Sequence, residues 1–164
     1  MTQDITYPTA VWRPMEAQLM RLDNAKTPTE RRAAIVLLEG SMLGQAQTEC
    51  PLRHHFSPGL YGREIFMPAG TCVVGKIHRH AHINTVSKGR CLVYTEHGTE
   101  LLEAGDTFIS QPGTKRAVFV IEDTLWTTTH ANPTNSQDIP WLEDQIIAPS
   151  FDALAHDKPL EVTA

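Results

Sequence analysis

Cysteine is scarce in this chain. Its 164 residues hold three, Cys50, Cys72 and Cys91, an odd count with no CxxC pair. That excludes a dense disulfide framework and fits free thiols in a reducing compartment. Long apolar runs are also missing, and no window reaches the ~18 residues of a membrane span. The N-terminus shows no basic segment leading into an apolar stretch, so the reading is a cytoplasmic protein without a signal sequence. No Lys/Arg run exceeds two residues and the net charge is −5, so the basic footprint of phosphate-backbone binding is absent and nucleic acid is not an expected partner. The 41% apolar and 20% charged fractions nevertheless describe a folded globular protein with a real core.

Histidine is concentrated rather than scarce. In Gly75-Lys76-Ile77-His78-Arg79-His80-Ala81-His82-Ile83-Asn84, three of the eight histidines stand at i, i+2 and i+4. On a helix these side chains would splay around the axis. On a strand they share one face, about 6.6–6.8 Å apart, with the Asn84 amide pointing the same way. Neutral imidazole is the commonest side-chain metal ligand, so this spacing marks a candidate metal site.

The rest of the chain divides by its punctuation. Residues 1–60 read as an N-terminal helical extension. One helix spans Met15–Leu22, just after Pro14. A second runs from Arg31 to Gln45, opened by the cap chemistry of Thr27-Pro28-Thr29-Glu30. Its apolar residues Ala33, Ile35, Val36, Leu37, Met42 and Leu43 need a surface, either the following domain or another subunit. Residues 61–131 switch to short strands: Glu64–Met67, Thr71–Lys76, His78–Val86, Arg90–Glu96, Thr99–Glu103, Thr107–Ser110, Arg116–Ile121 and Thr124–His130. Turn segments such as Ser87-Lys88-Gly89, Gln111-Pro112-Gly113 and Glu122-Asp123 separate them, which argues for an antiparallel barrel or sandwich. Residues 132–164 form a proline-punctuated C-terminal arm, expected to dock through Trp141 and Ile146. His54 and His55 read as loop residues, His97 as a hairpin turn residue, and His156 as part of the tail.

The strand region resembles the cupin superfamily, whose fold is a double-stranded β-helix or jelly-roll barrel. His78 and His80 match the family's paired histidines and Gly89 its following glycine. His82 stands where the family most often has glutamate. In the second motif, Gly105 and the Gln111-Pro112-Gly113 turn match, while Arg116 occupies the place of the usual histidine ligand. Guanidinium cannot ligate a cation, so Arg116 suits either an anionic substrate group or a structural carboxylate partner. His130 is the natural replacement ligand. Glu64 stands either at the barrel mouth, as a carboxylate within an anion- or substrate-binding site, or on the surface.

The resemblance thus implies a mainly β, cupin-type barrel with a helical extension and an arm. A divalent transition metal would sit on His78, His80, His82 and His130, with all-nitrogen ligation suiting Zn, Fe, Ni or Cu. The wider string from Tyr61 to His130 is also similar to small cupin-like proteins encoded by tailed bacteriophages. Two readings follow. One is a metal-binding cupin that acts on or binds a small polar or anionic molecule. The other is a non-catalytic, phage-associated assembly protein, with other virion proteins as partners and the host cytoplasm or the virion as its setting. Either fits a homo-oligomer, a dimer or higher.

Overall fold

The computed structural model describes residues 16–155, so Pro14, Met15, His156 and Pro159 lie outside the described residues. Helix α1 spans Glu16–Asn24 and α2 spans Pro28–Met42. Thr27 caps α2: its hydroxyl accepts from the Glu30 amide while the Glu30 carboxylate accepts from the Thr27 amide, a reciprocal capping box. The strands are β1 (Leu52–Ser57), β2 (Gly59–Met67), β3 (Cys72–Val74), β4 (Ile77–His78), β5 (His82–Thr95), β6 (Gly98–Glu103), β7 (Thr107–Ser110), β8 (Arg116–Asn132) and β9 (Ile147–Ala148). Helices α3 (Ile139–Ile146) and α4 (Phe151–Ala155) flank β9. No helix among the described residues is long and apolar enough to cross a membrane.

The fold is mainly β and antiparallel, the class the sequence implies. Two strands dominate it. β5 and β8 pair from Ile83↔Thr129 to Thr95↔Arg116, with register shifts between Val86 and Cys91. The sequence suggests turns at Ser87-Lys88-Gly89 and Glu122-Asp123; the chain instead bends there without leaving the ladder. Gly89 adopts φ 85°, and a Cβ at that position would collide with the Asp123 carbonyl oxygen. Bulges of this kind bend and twist a strand while keeping its pairing. Two short strands thereby become one long bent one, twice over. On one side of the bend lie β1, β2 and β7; on the other lie β3 and β6.

The bent sheet has an inner and an outer face, set by two-residue alternation. Met67, Val86, Cys91, Val93, Val118 and Trp126 fill the inside. Outside, Leu92, Tyr94, Ala117 and Phe119 meet Leu22, Ala34, Ile35 and Leu38 from the two helices. Of the apolar residues of α2, Ala34, Ile35 and Leu38 are thus covered by the chain's own sheet, while Val36, Leu37 and Leu43 are exposed. Strands also begin earlier than residue 61: β1 and the start of β2 fall within the segment read as helical extension. His54 and His55 are on β1, not in a loop, while His97 does sit in the β5–β6 hairpin turn.

Candidate metal centre

The inner face of β2, β8 and the first half of β5 ends in a pocket of about 190 Å³. Three histidines enter it. His82 opens β5, His130 lies near the end of β8, and His78 comes from β4. Their rings converge, with centroids 4.1 Å apart for His78–His82, 4.7 Å for His82–His130 and 5.0 Å for His78–His130. One nitrogen from each lies within 4.8 Å of the other two.

His78 reaches the group from a strand the sequence does not announce. The expected continuous strand from His78 to Val86 is broken at Arg79-His80-Ala81. β4 pairs instead with β9 of the C-terminal arm, Ile77 opposite Ala148 and His78 opposite Ile147. The Arg79 amide donates to the Ile146 carbonyl at 2.8 Å, and Arg79 Nε to the Ile147 carbonyl at 2.9 Å. The arm is anchored by Leu142 and Ile146, which pack on Tyr61. Trp141, expected to dock, stays 40% exposed, because helical spacing turns it away from that face.

The break also changes the role of His80. Its ring is not among the three that converge. Its carbonyl lies 3.1 Å from His82 Nδ1 and accepts a hydrogen bond from that nitrogen, which fixes the proton there. His82 Nε2 is then the lone-pair nitrogen, and it is buried with no hydrogen-bond partner. His78 Nδ1 is likewise buried and unpartnered. A buried polar atom without a partner costs roughly 1–3 kcal/mol. Two such nitrogens in one cluster of three imidazoles are what a metal ion would satisfy. The fixed tautomer of His82 is the usual arrangement for a ligating histidine.

The electrostatics agree. Burial, then the neighbouring rings of His82 and His130 and the charges of Arg116 and Arg63, pushes His78 down to about 2. Burial and His82 take His130 down to about 3. Burial lowers His82 as well. All three imidazoles are therefore neutral at ordinary pH, the form in which they ligate.

Arg116 lies on the same inner face, as its sequence position implies. It donates to Asn84 Oδ1 at 3.3 Å and to Ser110 Oγ. Asn84 is fully buried and fixed in turn, accepting from Trp126 Nε1 at 3.0 Å and donating to Ser110 Oγ at 2.9 Å. The guanidinium also lies 5.6 Å from the Trp126 ring centre. Its partners are all neutral. No carboxylate of the described residues forms an ion pair with it, so the structural-carboxylate alternative lacks a candidate there. Burial brings Arg116 down to about 10, still charged at neutral pH.

Glu64 is not at the pocket. On β2 the inward residues are Tyr61, Arg63, Ile65 and Met67. Glu64 is out of phase with them and faces β1, 3.5 Å from Arg53 Nη1 and 3.8 Å from His55 Nε2. The same phase brings in two residues that sequence reasoning missed. Arg63 lines the pocket. Tyr61, 1% exposed, hydrogen-bonds through its hydroxyl to His54 Nδ1 at 2.8 Å, and burial raises its pKa. Their alternation with the apolar Ile65 and Met67 is the signal that could have found both.

No protein-family model matches the sequence, and no curated protein does. Among solved structures the chain is similar to KdgF from Halomonas sp., at 20% identity and a TM-score of 0.46, over 57% of this chain and 86% of that one. It is similar to a cupin-2 domain protein from Shewanella frigidimarina at 9% identity and a TM-score of 0.42, over 58% and 92% of the two chains. It is also similar to the cupin domain of Schizosaccharomyces pombe Cnp3, at 19% identity and a TM-score of 0.45, over 57% and 68%.

Proposed function

We propose that this protein is a cupin-type, mononuclear metal-binding protein whose pocket receives a small anionic molecule. His78, His82 and His130 hold the ion, and Arg116 receives the anion. The observation that carries the reading is the pair of buried, unpartnered nitrogens, His78 Nδ1 and His82 Nε2, within a cluster of three neutral imidazoles. Three nitrogen ligands suit Zn, Fe, Ni or Cu better than Mg or Ca. Such an ion supplies Lewis acidity toward an oxygen ligand.

The chain's own residues supply the rest. Arg116 has five N–H donors, and Asn84 and Ser110 engage only part of that set, so donors remain for a carboxylate or phosphate oxygen. Trp126, Ile146, Ile147 and Val118 give the pocket apolar walls that limit water and strengthen the charge contacts. Tyr61 stacks beside His130, its hydroxyl held by His54 Nδ1.

Cobalt(II) substitution tests this reading. The wild-type protein should take up one equivalent and develop the visible bands of a low-coordinate nitrogen site. Adding a small carboxylate should perturb those bands in the wild type and not in Arg116→Gln. Featureless octahedral cobalt, or equal perturbation in both proteins, would contradict the assignment.

A further inference from the structure

The pocket contains more positive charge than one anionic group balances. Arg116 is buried against neutral partners. Arg63 enters the same pocket from β2, and no carboxylate of the described residues pairs with either guanidinium. The one acid on the lining, Glu143, lies 3.8 Å from Lys76 Nζ, another lining residue. The nearest acid in sequence to Arg63, Glu64, is turned to the opposite face by strand alternation. Two cations in a largely apolar enclosure repel each other strongly unless an anion lies between or beside them.

Register places the backbones of Arg63 and of Asn84, the residue that holds Arg116, on different strands. Arg63 is opposite Thr128, and Thr128 is opposite Asn84, the residue that holds Arg116. Arg63 and Asn84 are thus two strand spacings apart, about 10 Å between their backbones. The pocket is small, about 190 Å³. That suits a short chain with an anionic group at each end better than a long or branched ligand.

We infer that the ligand is a small dianion with two separated carboxylate-like groups, one received by Arg116 and the other by Arg63. This rests on the anion-binding reading above and narrows it. Arg63 is then the residue that separates dianions from monoanions.

Succinate and butyrate, four-carbon acids with two carboxylates and one, are the probes. Calorimetric titration of each into the full-length, zinc-loaded protein at pH 7 should give succinate about tenfold tighter than butyrate. Arg63→Gln should remove that advantage by weakening succinate more than butyrate, and Arg63→Lys should keep part of it. Arg116→Gln should weaken both acids. Unchanged melting temperatures would show that the variants are folded. Succinate no tighter than butyrate in the wild type, or an advantage that survives Arg63→Gln, would overturn the inference. If butyrate still binds and still depends on Arg116, the broader anion reading stands alone. If neither acid binds the wild type, both fall.

Discussion

His82 and His130 belong to the two long strands whose pairing organises the whole fold, whereas His78 belongs to a two-residue strand held by the C-terminal arm. The first pair is positioned by the same ladder that encloses Val86, Val118 and Trp126. The third histidine is positioned by β9 and by the packing of Leu142 and Ile146 on Tyr61. A site built this way has a rigid part and a dependent part. Its geometry is complete only when the arm is docked, so arm and metal should stabilise each other.

The largest expected effect separates these two regions directly. Leu142→Ala combined with Ile146→Ala removes two buried anchors, each worth about 2–5 kcal/mol when truncated. The arm should undock while the β5–β8 ladder persists. Hydrogen exchange should show the Arg79 amide losing protection and the amides of Val118 and Val93 keeping theirs, with zinc affinity falling about a hundredfold. Loss of protection throughout would mean that arm and sheet form one cooperative unit.

Acid should reveal the burial of the histidines. His78 titrates at about 2 and His130 at about 3 in the fold, against about 6.5 in an unfolded chain. Between about pH 6.5 and 3 the unfolded chain binds protons that the folded chain refuses. The contribution of these groups is therefore full above about 6.5 and is lost as pH falls. The melting temperature of metal-free protein should drop by about 5–10 °C between pH 7 and pH 5. His130→Gln should flatten that dependence; an unchanged slope would mean that His130 is hydrated.

Asn84→Asp probes the sheet-borne side alone. The new carboxylate would pair with Arg116 and compete with any anionic ligand. Butyrate affinity should fall about tenfold while zinc stoichiometry stays the same, as calorimetry and elemental analysis would show. The smallest effect is expected from Trp141→Ala. That side chain is 40% exposed, so denaturant unfolding should shift by about 0.5 kcal/mol or less.

The same division explains what the sequence made legible. Period-two spacing picked out the face that carries His82 and Asn84, and the cupin resemblance, with Arg116 in the histidine position, pointed to His130. Strand alternation is local, so it survives translation into structure. It failed for His80, because Arg79-His80-Ala81 leaves the strand to let His78 pair with Ile147, a residue far along the chain. No local pattern encodes that pairing. Glu64 failed for a different reason: its chemistry drew attention, although Tyr61, Ile65 and Met67 already defined the buried phase and excluded it. Arg63 was in phase and was overlooked. The two bends at Gly89 and Asp123 read as turns because glycine and acidic residues mark both turns and bulges.

The central claim is that His78, His82 and His130 form one metal centre in which His80 contributes only its backbone. Elemental analysis of zinc bound after dialysis against equal concentrations of metal and protein tests it most directly. Wild type and His80→Ala should hold near one equivalent, and His78→Ala, His82→Ala and His130→Ala a small fraction of that. Zinc lost from His80→Ala as from the other three, or retained in His130→Ala, would contradict it.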